Sequence, residues 1–270
     1  MTTINKSAKI LVIGGSSLDT LTIKGKDHSS PGGAGLYTAL AAAKSGADVT
    51  LLAPFPSPVP ATLLEFSAHV KWIGPEVSPD ELPRFHIVHA NGETKYKRSF
   101  FGAEGAMTAE DLPYDFSEYD LVHLVPLGNT IKQLEFISIC RKRNAELISA
   151  GTGKPLIEQE PELVKDVIQA SDIFFMNEEE ANAVFPENTE FRFATGKHIF
   201  VTKGKNGASV FLGEYQYLLD PKQVNVLDPT GAGDAFCGAT ISGIAQGEHP
   251  VKAAMSASVL ASEVIKAVGP

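Results

Sequence analysis

Asp228-Pro229-Thr230-Gly231-Ala232-Gly233-Asp234-Ala235-Phe236 is the stretch on which the reading of this chain turns. Two glycines flank one small residue, a composition that lets successive backbone N–H groups converge on one point. An Ala- and Ser-rich run follows and predicts a helix over 231–246. The first amides of a helix have no intrahelical acceptor and carry partial positive charge. The junction therefore predicts an anion cradle at a helix N-terminus. Asp234 falls in the same first turn. Alone, such a carboxylate only complements the helix dipole. Beside a bound phosphate it has a chemical use, because it can take the proton of a hydroxyl that attacks the phosphorus.

Working outward, short apolar runs at 9–15, 48–53, 119–125, 145–150, 172–176 and 198–202 read as buried strands. Segments 35–46, 130–144, 161–170 and 178–185 read as helices, and 250–267 as a second closing helix. Two short antiparallel strands are expected at 208–212 and 215–219. The alternation predicts an α/β fold: one domain over 1–270, a three-layer α/β/α sandwich with a mostly parallel central sheet. Ligands in such folds sit beyond the carboxyl ends of the strands. At 84–101 the rhythm breaks. RFHIVHA and ETKYKRSF flank Asn91-Gly92, a strong hairpin signal, read here as a small β lid.

The 270 residues, 43% hydrophobic, suffice for one large domain. A net charge of -9 with no basic patch along the sequence argues against nucleic acid as a partner. It does not exclude an anionic ligand, since local amides and one lysine can hold a phosphate in an acidic protein. Cys140 and Cys237 lie far apart and read as buried thiols in a reducing, cytoplasmic compartment. The N-terminal apolar run is too short for a signal segment, and no run is long enough to predict a membrane span.

The nine-residue stretch resembles the C-terminal signature of the ribokinase family, the PfkB family of carbohydrate kinases, whose pattern is Asp-Thr-x-Gly-Ala-Gly-Asp-x-Phe. Pro229 departs from it and Gly-Ala-Gly-Asp is intact. The resemblance implies a ribokinase-like fold and an ATP-dependent phosphotransferase acting on a hydroxyl of a sugar, polyol or nucleoside. It implies Asp234 as catalytic base, with the amides of Gly231, Ala232 and Gly233 stabilising charge on the transferring group. Asp228 is expected to shape the nucleotide side or a neighbouring monovalent-cation site.

Further positions follow the family's order. Asn177 and Glu180 match an Asn-x-x-Glu motif that organises Mg²⁺ and phosphate, although an Asn before a helix also serves as its cap. Thr202, Lys203 and Gly204 match a stretch that runs along the nucleotide phosphates. Gly32, Gly33 and the following residues resemble the N-terminal signature, whose glycines let substrate approach the backbone; Tyr37 stands where the family usually has a substrate-binding Asn, and all three are expected to line the acceptor site. Asp19 matches a carboxylate that grips acceptor hydroxyls. The lid is expected to exclude water and to offer a face for a homodimer; Arg98 reads as a surface residue that could meet an anionic acceptor. A ligand sensor without catalysis is the alternative. Tyr37 keeps it open, while the intact Gly-Ala-Gly-Asp argues against it. Gly151-Thr152-Gly153-Lys154 is set aside as a P-loop because Pro155 follows. His86 and His89, on opposite faces of a strand, are set aside as a metal pair.

Overall fold

The computed structural model describes residues 7–90, 93–186 and 197–270. The run KILVI forms β1 (Lys9–Ile13), followed by the antiparallel pair β2 (Ser17–Ile23) and β3 (Lys26–Gly32). Next come α1 (Ala34–Lys44), β4 (Asp48–Leu52), β5 (Phe55–Pro56), α2 (Ala61–Ser67), β6 (Lys71–Ile73) and β7 (Glu76–Val77). A second antiparallel pair is β8 (Arg84–Ala90) and β9 (Glu93–Phe100). The chain then alternates through β10 (Leu121–Leu124), α3 (Thr130–Lys142), β11 (Ile148–Gly151), α4 (Lys154–Gln159), α5 (Pro161–Ala170), β12 (Ile173–Asn177), α6 (Glu178–Val184) and β13 (His198–Thr202). It ends with β14 (Ala208–Leu212), β15 (Tyr215–Leu219), α7 (Ala232–Ala245) and α8 (Pro250–Val264).

Nine strands form the central sheet in the order β15-β14-β13-β12-β11-β10-β1-β4-β6, parallel except where β14 and β15 join. Strands β1, β10, β11 and β12 are apolar almost throughout because helices cover both faces. Helices α1, α7 and α8 pack together on one face, and α3 to α6 on the other, which makes the three layers. Small residues in α7 permit its close packing. A Cβ on Gly238 would come within 2.1 Å of the Thr38 carbonyl oxygen of α1, and one on Gly243 within 2.8 Å of Ala253 in α8. Phe236 on α7 meets Phe175 and Phe200 edge-on, and those two stack at 4.8 Å. This aromatic group fixes α7 over β12 and β13.

The expected strands at 84–101 are present, and the Asn91-Gly92 turn lies outside the described residues. The sheet they enter is larger than a hairpin. It has four strands in the order β3-β2-β8-β9, with β2 and β8 parallel. Two of its strands thus precede α1. One face carries Asp19, Leu21, Ile23, Phe85, Ile87 and His89; the partly exposed Phe85 packs on the small buried cluster of Leu21, Ile23 and Ile87. The opposite face is polar where Thr22 bonds Asp27 and His86. Arg98, paired with His86 and exposed, belongs to that opposite face. No helix among the described residues is long and apolar enough to cross a membrane.

Candidate active site

Gly231 caps α7 with φ 75° and ψ 1°, a left-handed conformation that glycine adopts without strain. Ala232 and Gly233 open the helix, and the space in front of Gly233 is empty where a side chain would stand. The backbone is therefore bare at Gly233, as an approaching anion requires, while the Ala232 amide donates to the Pro229 carbonyl at 3.3 Å. Asp234 lies one residue further into the first turn. Its residue keeps some accessible surface, yet protein encloses it closely enough that burial pushes its pKa up to about 6. The carboxylate is thus partly accessible yet desolvated.

Asp228 holds the loop before α7. One carboxylate oxygen accepts from the Thr230 amide at 2.9 Å, and the other from the Gly269 amide at 3.3 Å. Its carboxylate is buried, and its hydrogen bonds organise this loop.

On the second sheet, Asp19 lies on the inward face of β2. It is 3% exposed and accepts from the Phe85 amide at 3.1 Å. Burial pushes its pKa up to about 6, against the lowering effects of the Ser17 hydroxyl and that amide. Gly32 lies against it: a Cβ there would come within 2.1 Å of Asp19 Oδ2. At Gly33, with φ 95°, a Cβ would come within 2.6 Å of the Gly15 carbonyl oxygen and 2.9 Å of Ser16 Cα. Protein neighbours alone thus account for glycine at both positions.

Tyr37 on α1 fills the space between these elements. It is 3% exposed, and its hydroxyl has no hydrogen-bond partner among the described residues. Burial raises its pKa, and so do the charges of Asp228, Asp234 and Asp19. The phenol therefore lies within the field of all three carboxylates. Tyr96 of β9 is an exposed residue whose phenol still reaches this field: burial first, then Asp234, Asp19 and Glu180, push its pKa up to about 12.

At the carboxyl ends of β12 and β13, Asn177 and Thr202 are direct neighbours in register. Asn177 caps α6, accepting from the Glu180 amide at 2.9 Å, while Glu180 Oε2 accepts from the Asn177 amide at 2.8 Å. This reciprocal capping box orients the buried Glu180. Burial pushes Glu180 up to about 7, helped by the charge of Asp234, so the two carboxylates share one neighbourhood. A cavity of about 240 Å³ adjoins Glu180, lined also by Lys154, Ile157, Glu158, Glu179 and Ala183. Lys203 lies 3.9 Å from Glu178, and Gly204 follows with φ 53°.

The structure therefore brings Asp19, Tyr37, Asp228, Asp234 and Glu180 into one field, with Asn177, Thr202 and Lys203 along the adjoining strand ends. Sequence reasoning passed over two residues. His89 was weighed only as a metal ligand, yet its Nε2 lies 2.9 Å from Thr230 Oγ1 and 3.3 Å from Asp228 Oδ1. Glu104, 7% exposed, lies against Gly15 and is pushed up to about 7 by burial, opposed by the Gly15 amide and the charge of Lys132. No local pattern announces either contact.

Comparison with known proteins identifies relatives over almost the whole chain. The model of the pfkB family carbohydrate kinases matches residues 8–270. A cytidine kinase of Thermococcus kodakarensis is 24% identical over 96% of this chain and 97% of its own length. A ribokinase of Bacillus subtilis is 25% identical over 88% of this chain and 86% of its own. Among solved structures, a probable sugar kinase from Rhizobium etli superposes with a TM-score of 0.85 at 18% identity, covering 97% of this chain and 94% of its own, so the fold is shared.

Proposed function

Because the chain belongs to the pfkB family of carbohydrate kinases, we propose that it transfers the γ-phosphoryl group of ATP to a hydroxyl of a small acceptor, with Asp234 as the base. The single observation that carries this reading is the placing of Asp234. A partly accessible carboxylate, raised to about 6, stands in the same helical turn as a bare glycine backbone. Such a group is largely ionised at neutral pH and still basic enough to accept a proton.

In this reading the acceptor lies between Asp19 on the second sheet and Asp234 on α7, under Tyr37 and Tyr96. Asp19 accepts hydrogen bonds from acceptor hydroxyls and fixes which one faces the phosphate. Asp234 takes the proton of that hydroxyl as its oxygen attacks the γ-phosphorus in line, and ADP leaves. The amides of Gly231, Ala232 and Gly233 receive the charge on the transferring group. Thr202, Lys203 and Gly204 run along the donor's phosphates. Glu180 suits Mg²⁺ held through water, because its Oε2 is already engaged by the Asn177 amide. Bound Mg²⁺ supplies neutralisation of phosphate charge. The four-stranded sheet serves as lid.

A nucleoside is the favoured acceptor class. The lid presents Phe85, whose ring meets Tyr96 at 6.2 Å and Phe101 at 5.6 Å, both edge-on. Aromatic rings beside a carboxylate that binds hydroxyls suit a ligand with both a flat base and a ribose. The cytidine kinase among the relatives accords with this choice.

The test is ADP release in the presence of nucleosides, pentoses, hexoses and polyols, for wild type and Asp234→Asn. A nucleoside-dependent rate that falls by about 10²-fold or more in the variant, with nucleotide affinity retained, supports the reading. Tight acceptor binding without ADP release would point to a sensor and refute it.

A further inference from the structure

We propose that His89 is a positioning residue that latches the lid to the loop carrying the anion cradle, so that lid closure and cradle geometry are set together. The inference deepens the kinase reading and concerns a residue to which that reading gives no role.

Three contacts carry it. His89 Nε2 lies 2.9 Å from Thr230 Oγ1 and 3.3 Å from Asp228 Oδ1, and Nδ1 lies 2.9 Å from Thr94 Oγ1. A carboxylate only accepts, so the ring hydrogen belongs on Nε2, facing Asp228 and Thr230. Nδ1 is then left to accept from the Thr94 hydroxyl of β9. The imidazole, 10% exposed as a side chain, thus joins both strands of the lid hairpin to two residues of the loop.

The loop's first half is anchored to the C-terminal segment, the Leu227 and Asp228 amides donating to the Ile265 carbonyl and Asp228 accepting from the Gly269 amide, whereas the Thr230 side chain is held by His89. Asp228 orients the Thr230 amide, and Gly231 begins α7 directly after. Moving Thr230 therefore moves the first amides of α7 and, with them, Asp234. Because Asp19 sits on the lid and Asp234 on α7, an acceptor between them is gripped from both sides only when the lid is down. The His89 contacts are made in that closed arrangement. Opening the lid breaks them and frees the loop; closing restores both at once.

The test compares wild type, His89→Ala and His89→Gln. The glutamine amide can reach Thr230 and Asp228 much as Nε2 does. Hydrogen exchange of the ligand-free protein is read over 228–235 and over β8, and ADP released is compared with acceptor phosphorylated. We expect His89→Ala to exchange faster in both segments and to lose roughly 10- to 100-fold in kcat. More ADP should form per product, Tm should hardly change, and His89→Gln should recover much of the loss. Unchanged exchange in His89→Ala overturns the latch. So does a Gln variant as impaired as Ala with Tm lowered in both, which would mean a role in the fold at large. If wild type phosphorylates no acceptor while His89→Ala still loosens 228–235, the kinase reading fails and the latch stands. If kcat and coupling of the Ala variant match wild type, the latch fails and the kinase reading stands.

Discussion

The ring of Tyr37 lies directly over Gly231: a methyl group built on that glycine would come within 2.2 Å of Tyr37 Cδ1. Gly231 is thus required twice, by its φ of 75° and by this contact. Gly231→Ala should lower stability by about 1–3 kcal/mol, the range for a strained backbone residue, and disorder the cradle. Trimming the ring as well, in Gly231→Ala with Tyr37→Ala, relieves the clash but leaves the backbone strain. Denaturant unfolding of these two variants and of Tyr37→Ala alone separates clash and strain from the cost of the lost ring.

The Tyr37 hydroxyl leads to a prediction of opposite sign for stability and binding. It is buried without a partner among the described residues, and such a group costs on the order of 1–3 kcal/mol. Tyr37→Phe should therefore stabilise the free protein by about 1 kcal/mol while raising the acceptor KM. Thermal unfolding and steady-state kinetics read the two effects. A less stable Phe variant with an unchanged KM would contradict a place for this hydroxyl in acceptor binding.

Activity should have an acid limb set by Asp234. Burial pushes its carboxyl up to about 6, and only the ionised form accepts a proton. The profile of kcat/KM should climb through about pH 6 and level off above it, because this parameter reports the free enzyme. A limb near the ordinary value of an exposed aspartate would show another group in control.

Glu104 predicts how stability varies with pH. Burial raises its pKa from 4.5 to about 7 in the folded chain, so between those values the folded state holds more proton than the unfolded one. Its contribution therefore falls as pH rises through this window. Glu104→Gln should remove that slope and raise Tm at pH 8 relative to wild type, by up to ~3 kcal/mol in stability, with little difference near pH 4.

Glu180→Gln separates capping from metal chemistry. The glutamine carbonyl can still accept from the Asn177 amide, which Glu180 receives at 2.8 Å, so the fold should persist. Half-maximal activity should need more Mg²⁺, measured by titrating the metal at fixed ATP. Asn177→Ala should instead cost about 1 kcal/mol through loss of the cap.

The sandwich was legible because buried parallel strands are continuous apolar runs, as KILVI and IFFMN are. β2 escaped notice because its inward face carries Ser17 and Asp19 with Leu21 and Ile23. A polar pair on the buried side hides the alternation that marks a strand. β3, KDHSSPG, is held by its pairing with β2 and has almost no apolar pattern. The string ending in Asp234 was readable since cradle and carboxylate are local to one turn. His89 was not, because its partner Thr230 lies 141 residues away, and no periodicity reports a contact at that separation.

The two chain segments that build the second sheet give it an unusual mechanical character. One enters after β1 and leaves into α1 at Gly33; the other enters near Pro83 and leaves after Phe100. A slab tethered at four points tilts rather than peels. Two of those tethers include glycines at φ 95° and φ 50°, Gly33 and Gly102. A side chain at either would meet backbone, the Gly15 carbonyl oxygen at 2.6 Å or that of Glu81 at 2.1 Å, so both corners of the slab depend on glycine.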